Sequence, residues 1–303
     1  MGLRMTCAPE SGPRKSVVTG ATSPVGCELM RKLSAAGFLI HAISRNAAPK
    51  SYELSSAWGE VDLAGTGRLP EFNAEVLFHV ASIWLLPKWV EEFHERGVRR
   101  IVAFSSTSRF SKAASSSMAE RAVAESLVRS EDAVANACER LGIAYTIFRP
   151  TLTYGSGRDR NVGDIARFER RFGIFPILGK GTGLRQPVHA ADLAEACLQT
   201  VDVPASFGRM YNLSGGETLS YRQMVERVFE AMGQRPRILA VPEWVFRPAI
   251  EMARRLPKYR HMTPEMARRM DIDLCCDHDD ATRDFGYAPR GFHPDGRALG
   301  LGQ

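Results

Sequence analysis

The stretch SVVTGATSPVGCELM, residues 16–30, decides how this chain is read. A short apolar run ends at Thr19 and Gly20, and after Ala21, Thr22 and Ser23 a helical pattern begins at Pro24 and Val25, with Gly26 in its first turn. A parallel strand that turns sharply into a helix aims unbonded N–H groups and the positive end of the helix dipole above the strand end. A pyrophosphate is held at such a place. Pro24 suits the first helical turn, because the N–H it lacks has no partner there anyway. Gly26 lets the helix pack closely on the strand. Ser23 stands where a further glycine is expected. Its side chain is small and its hydroxyl can donate to a phosphate, so the turn reads as modified rather than lost.

Working outward, further apolar runs lie at 38–44 (FLIHAIS), 74–81 (AEVLFHVA), 99–106 (RRIVAFSS) and 144–150 (AYTIFRP), with helical patterns at 24–36, 86–96 and 117–140 between them. Nearly continuous apolar strands alternating with helices predict an α/β protein, a Rossmann-type doubly wound parallel sheet covered on both faces. After Pro150 the chain becomes rich in Gly and Arg, with one helix predicted at 162–172. VHAADLAEACLQTV then reads as a helix that Asp192 caps, and RMYNLS (209–214) as a strand. Helices are predicted near 220–232, 243–255 and 263–270. The expected division is a dinucleotide-binding domain of 15–150 and 188–215, a smaller C-terminal substrate domain of 151–187 and 216–290, and tails at 1–14 and 291–303.

Composition narrows the function classes. The 303 residues are 44% hydrophobic, enough for a sizeable core, and the net charge of +6 comes from 40 Lys and Arg dispersed among 34 Asp and Glu. Dispersed charge argues against a nucleic-acid ligand and for a mildly basic protein that takes a phosphorylated small molecule. The six cysteines show no CxxC spacing, which suits a reducing compartment. No stretch matches a signal peptide or reaches the roughly 18 apolar residues of a membrane span, so a cytoplasmic location is expected. CCDHDD (275–280) mixes metal-ligand types too locally for a zinc site, and no metal is expected. The basic, amphipathic run over 242–270 is where a membrane or partner contact is expected.

The end of the second strand selects between dinucleotides, because a carboxylate there accepts bonds from the ribose 2'-OH and a cation meets a 2'-phosphate. Here the chain reads ISRN, offering Ser44, Arg45 and Asn46. NADP is expected, with NAD the alternative.

These residues resemble the short-chain dehydrogenase/reductase superfamily, in its extended and atypical branch of NAD-dependent epimerase/dehydratase proteins, over roughly residues 15–290. TGATSPVG is similar to that family's TGATGxxG turn, and the resemblance makes Gly20, Thr22, Ser23, Pro24, Val25 and Gly26 cofactor-binding. VDL (61–63) is similar to the segment that packs on adenine, implying Asp62 and Leu63, and HVAS (79–82) to the segment under the cofactor, implying Ala81 and Ser82. FSSTS (104–108) resembles the segment that supplies an active-site hydroxyl, implying Ser106 or Thr107, with Ser105 beside the cofactor. FRPTLTYGSG (148–157) resembles the loop that passes the nicotinamide, implying Pro150, Thr151 and Leu152.

The resemblance breaks at the catalytic helix. Hydride-transferring members carry YxxxK, in which the Lys holds the nicotinamide ribose and lowers the Tyr pKa. None of the seven tyrosines is followed four residues on by Lys, and family spacing places Leu127 and Glu131 on the motif. Glu131 is then expected either to hold ribose hydroxyls, since a carboxylate accepts two hydrogen bonds, or to be a solvated helix residue. Three readings follow: an NADP(H)-dependent oxidoreductase using Ser106 or Thr107 as donor and Tyr154 or a substrate group as acid; a non-catalytic redox sensor or assembly subunit that binds NADP(H); and a nucleotide-sugar epimerase or dehydratase. An anionic small-molecule substrate is expected from the arginines after Pro150, with Asn161 and Arg185 as its contacts.

Overall fold

The computed structural model describes residues 13–48, 57–157, 159, 161–242, 244–245, 252 and 268–300. The first half runs β1 (Lys15–Thr19), α1 (Pro24–Ala35), β2 (Leu39–Ser44), β3 (Ala57–Glu60), β4 (Val76–His79), α2 (Val90–Glu95), β5 (Arg100–Phe104), α3 (Ser108–Ser111), α4 (Met118–Leu141) and β6 (Ala144–Pro150). There follow β7 (Thr153–Tyr154), α5 (Val162–Phe172), β8 (Phe175–Leu178), β9 (Leu184–Arg185), β10 (Val188–His189), α6 (Ala190–Thr200) and β11 (Arg209–Leu213). The chain ends with β12 (Leu219–Ser220), α7 (Tyr221–Ala231), β13 (Ile238–Val241) and α8 (Asp279–Phe285).

Seven strands form one parallel sheet in the order β11-β6-β5-β4-β1-β2-β3. The order reverses at β1, which opens a crevice above the strand ends where the β1–α1 turn lies. Adjacent residues of one strand feed opposite layers. Val18 packs with α1 and α6 on one face, and Val17 with α2 and α4 on the other. Burial on both faces explains why these strands read as unbroken apolar runs.

β3 has no such run, since AWGE is short and half polar, and only its pairing with β2 defines it. The pattern at 86–96 becomes an α-helix only from Val90, after two 3-10 turns at Ile83–Leu85 and Pro87–Trp89. Two expected boundaries are corrected. Ala281, Phe285 and Tyr287, in and just after α8, pack with Phe148 and Tyr211 in the core of the large sheet, so this part of 216–290 does not belong to the small unit. Residues 291–300 are not a loose tail. Phe292, Ala298 and Leu299 are buried with Tyr154, Ile165 and Phe229 in the small unit's core, and the Gly157 N–H donates to Ala298 O at 2.7 Å. The helices expected at 243–255 and 263–270, and the contact expected over 242–270, fall almost wholly outside the described residues. Among the described residues, no helix is long and apolar enough to cross a membrane.

Candidate functional site

The β1–α1 turn is built as a phosphate site should be. Gly20 has φ +70°, and a Cβ there would stand 2.6 Å from the Ala81 N–H nitrogen, so only glycine lets this turn approach the end of β4. A Cβ on Gly26 would run into the Gly20 carbonyl oxygen. Ser23 needs no glycine, because its φ of −73° is ordinary. It is the N-cap of α1: its Oγ accepts from the Gly26 N–H at 3.0 Å, which leaves its own hydrogen to donate outward. The N–H groups of Ser23 and Cys27 bond within the turn, whereas those of Thr22 and Val25 make no hydrogen bond among the described residues. The residues therefore fit a pyrophosphate, with Thr22, Ser23 and Val25 as donors.

His79 fixes the floor of this crevice and escaped the sequence reading. It is fully buried, its Nε2 lies 3.2 Å from Ser82 O, and its Nδ1 lies 2.8 Å from Thr19 Oγ1. A carbonyl only accepts, so Nε2 carries the proton and the Thr19 hydroxyl donates to Nδ1. Burial pushes this imidazole down to about 4. His79 thus ties the residue before Gly20 to the Ala81–Ser82 segment. An isolated histidine in an apolar strand gave no signal of this.

At the end of β2, Ser44 is buried, 3.3 Å from Thr22 Oγ1, and accepts from the Asn46 N–H at 3.2 Å. Arg45 and Asn46 are exposed. Asp62 is exposed and caps its own turn through the Ala64 N–H at 3.0 Å, while the Leu63 side chain lies in the core and its carbonyl accepts from Trp89 Nε1. Of the pair expected at adenine, Asp62 alone reaches the surface.

The catalytic helix departs furthest from the expectation. Leu127 is buried in the same core as Ile83 and Leu86. Glu131 is 0% exposed. Its Oε1 accepts from Ser105 Oγ at 2.5 Å, and its Oε2 accepts from Arg149 Nε and Nη2 at 3.0 and 2.6 Å and from Arg109. Both oxygens are already engaged by protein donors, so the ribose-holding role expected of Glu131 is not what the geometry supports; nor is it a solvated helix residue. Ser105, expected beside the cofactor, is turned into the same cluster. Arg109 and Arg149 stand inside the motifs FSSTS–RF and FRP, but only the fold brings three separate elements onto one carboxylate.

The expected acid and donors fare similarly. Tyr154 is fully buried between His189 and Phe292, each ring centroid 5.0 Å away, and burial pushes its phenol up to about 12. It is a core residue, which corrects its reading as a proton donor. The Thr107 hydroxyl and N–H both donate to Pro150 O, at 3.1 and 3.2 Å. Ser106 Oγ accepts from the Ser108 N–H at 3.1 Å and keeps its hydrogen. Thr151 Oγ1 donates to Gln186 O at 2.5 Å, and the Val188 N–H donates to Leu152 O at 2.8 Å, so the 150–152 loop is stitched to the strand that returns to the large sheet.

The expected substrate contacts separate. Arg185 is buried, and its guanidinium donates to the carbonyls of Leu184 and Ile272 at 2.7 and 2.8 Å and to that of Arg269. It pins the segment after Arg268 onto β9 through backbone carbonyls, which replaces its expected role as an anion contact. Asn161 is exposed at the start of α5, with its N–H bonded to Asp159 Oδ1 at 3.1 Å. His189, not Asp192, caps α6, through Nδ1 accepting from the Ala191 N–H at 3.1 Å. Asp192 instead pairs with Arg290 at 2.7 Å.

Comparison with known proteins agrees with this architecture. Residues 87–214 match the NAD dependent epimerase/dehydratase family. The chain is 30% identical over 113 residues to the Arabidopsis thaliana protein named NADH dehydrogenase [ubiquinone] 1 alpha subcomplex subunit 9, mitochondrial, a match covering 37% of this chain and 27% of the plant protein. It is 24% identical to the uncharacterized Escherichia coli protein YbjS, covering 91% of this chain and 93% of that one. In fold it is similar to UDP-glucuronic acid 4-epimerase from Bacillus cereus, solved in complex with NAD, with a TM-score of 0.72 at 14% identity over 95% of this chain and 98% of that chain. The match over 87–214, the sheet order and the β1–α1 turn make the chain similar to the NAD dependent epimerase/dehydratase family, while none of its tyrosines is followed four residues on by Lys.

Proposed function

We propose that the protein binds a nicotinamide dinucleotide across the β1–α1 turn and acts through that binding, as a redox sensor or assembly subunit, rather than by hydride turnover. The observation that carries this reading is Glu131. Where relatives place a Lys beside a Tyr, this chain has a carboxylate withdrawn from solvent and bonded to Ser105, Arg109 and Arg149, with Leu127 in the core one turn earlier. A general acid must reach the group it protonates. Tyr154 is enclosed, and Ser106, the hydroxyl with a hydrogen to give, has no hydrogen-bonded base among the described residues. The plant relative's name as a subunit of a larger enzyme is in keeping with such a role. Arg45, exposed after β2 where no carboxylate stands, supports NADP(H) over NAD(H).

A second reading, a nucleotide-sugar substrate, is favoured by the family match and by similar solved folds that hold such sugars, among them MoeE5 in complex with UDP-glucose and NAD. It requires a base at the sugar hydroxyl, which Leu127 and Glu131 do not supply. One experiment separates the readings. Purified protein is titrated with NADPH and NADH by fluorescence, then incubated with carbonyl compounds, UDP-glucose and UDP-glucuronate. Tight NADPH binding with no product supports the proposal; epimerised sugar or oxidised cofactor refutes it.

A further inference from the structure

The small unit carries a surface that combines exposed apolar side chains with arginines that form no ion pair among the described residues. β8 and β13 pair in parallel, Phe175 with Ile238 through Leu178 with Val241, and the Phe175 N–H donates to Arg237 O at 2.9 Å. This pairing sets the end of α5, with Arg170, Arg171, Phe172 and then Ile174, beside Arg235 and Arg237 at the start of β13. The chain leaves β13 through Pro242 toward Trp244. Phe172 is 49% exposed, Ile174 41%, Leu239 54% and Trp244 78%. The four arginines are exposed too, and none forms a salt bridge among the described residues, although the Arg170 charge reaches the buried Glu169 carboxylate; the Arg171 guanidinium lies 5.4 Å from the Phe172 ring centroid. Neither 170–191 nor 231–242 contains a single Asp or Glu. The sequence running on from the patch, PAIEMARRLPKYRHM (248–262), is basic as well.

A contiguous group of large apolar side chains on a surface marks a contact. The charge says with what. A second copy of this chain would bring arginines against arginines across a two-fold axis. An anionic bilayer instead satisfies both features, with guanidinium groups at the headgroup phosphates and carboxylates and the Trp, Phe and Leu tips in the interfacial zone. We propose that this face, formed by the end of α5 and by β13, docks on an anionic lipid membrane. The inference does not depend on the dinucleotide reading.

Flotation of the full chain tests it, using vesicles of phosphatidylcholine alone and mixed with phosphatidylserine. The protein should float with the mixed vesicles, stay behind with the neutral ones, and be released by high salt. Each basic side chain near an anionic leaflet strengthens binding about fivefold, so Arg171→Ala with Arg237→Ala should weaken it about 30-fold. Trp244→Ala should weaken it further, while Arg129→Ala on α4 leaves it unchanged. Circular dichroism and the thermal midpoint, read in parallel, establish that each variant is folded. The proposal is overturned by failure of the wild type to float, or by a folded double variant that floats as well as the wild type. Self-association without lipid that the same double variant abolishes would assign the face to a second copy. Retention on polyglutamate without flotation would assign it to an acidic protein. Either of these results overturns the membrane reading.

Discussion

Arg149 grips Glu131 with two nitrogens, Nε at 3.0 Å and Nη2 at 2.6 Å from the same Oε2 atom, on a side chain that solvent does not touch. Arg109 reaches that oxygen from α3, and Ser105 takes the other at 2.5 Å. This carboxylate thereby ties β5, α3, α4 and β6 together. Removing one partner of a buried ionic cluster costs about 3–5 kcal/mol, because the remaining charges stay buried without compensation. Glu131→Ala is expected to lose about that much in urea unfolding. Glu131→Lys, which places the Lys that family spacing would put here, should lose more by setting a third cation beside two arginines, and should confer no turnover. An Ala variant of unchanged stability but weaker NADPH binding would return Glu131 to the ribose.

The sequence reveals the β1–α1 turn and not this cluster for a reason of distance along the chain. Gly20, Ser23, Pro24 and Gly26 act within a few residues of one another, so their spacing is the structure. Glu131 draws its partners from Ser105, Arg109 and Arg149, and α4 alone reads as an amphipathic helix whichever way they turn. Tyr154 looked available in its loop because the residues that enclose it, His189 and Phe292, lie far along the chain. Arg185 looked like an anion contact because backbone carbonyls, its partners here, leave no trace in sequence. Local backbone chemistry was legible; side-chain destinations were not.

The turn makes its own prediction. Ser23 caps α1 through Gly26 N–H, so Ser23→Ala should cost about 1 kcal/mol in thermal or urea unfolding. Ser23→Gly, which restores the family glycine, should cost only a few tenths, since Gly is a tolerable N-cap. Both variants should still bind NADPH through the Thr22 and Val25 N–H groups, with a modest loss from the missing hydroxyl. Gly26→Ala should abolish binding, because its Cβ meets the Gly20 carbonyl and the turn must open.

The last residues also matter to stability. Phe292, Ala298 and Leu299 are buried in the small unit's core, and Arg227 donates to Phe292 O at 3.0 Å. Ending the chain at Arg290 should uncover Tyr154 and Ile165 and lower the unfolding midpoint by well over 5 °C, since burying one large aromatic alone is worth about 3 kcal/mol. Phe292→Ala should give a loss of about 3–5 kcal/mol by itself. A truncated chain with an unshifted midpoint would show that these residues do not carry core packing.

Acid stability should report on the crevice floor. Unfolded, His79 titrates near 6.5; folded, burial holds it down to about 4, so between those values the unfolded chain binds the proton and the native one does not. Stability from this residue is therefore complete above about pH 6.5 and falls away as the pH drops toward 4, by about 3 kcal/mol in all. His41 and His189 are also lowered by burial and act in the same direction, whereas burial raises Asp159 and Glu169, which act in the opposite one. The comparison that isolates His79 is His79→Gln, neutral throughout this window. Urea unfolding from pH 7 to pH 4 should show a wild-type stability that declines more steeply than the variant's. NADPH affinity at pH 7 should fall in the variant as well, because Thr19 and Ser82 lose the imidazole that links them. Parallel pH profiles for the two proteins would mean that the imidazole is already protonated in the fold, or solvated, and that the link between β1 and β4 is made by backbone alone.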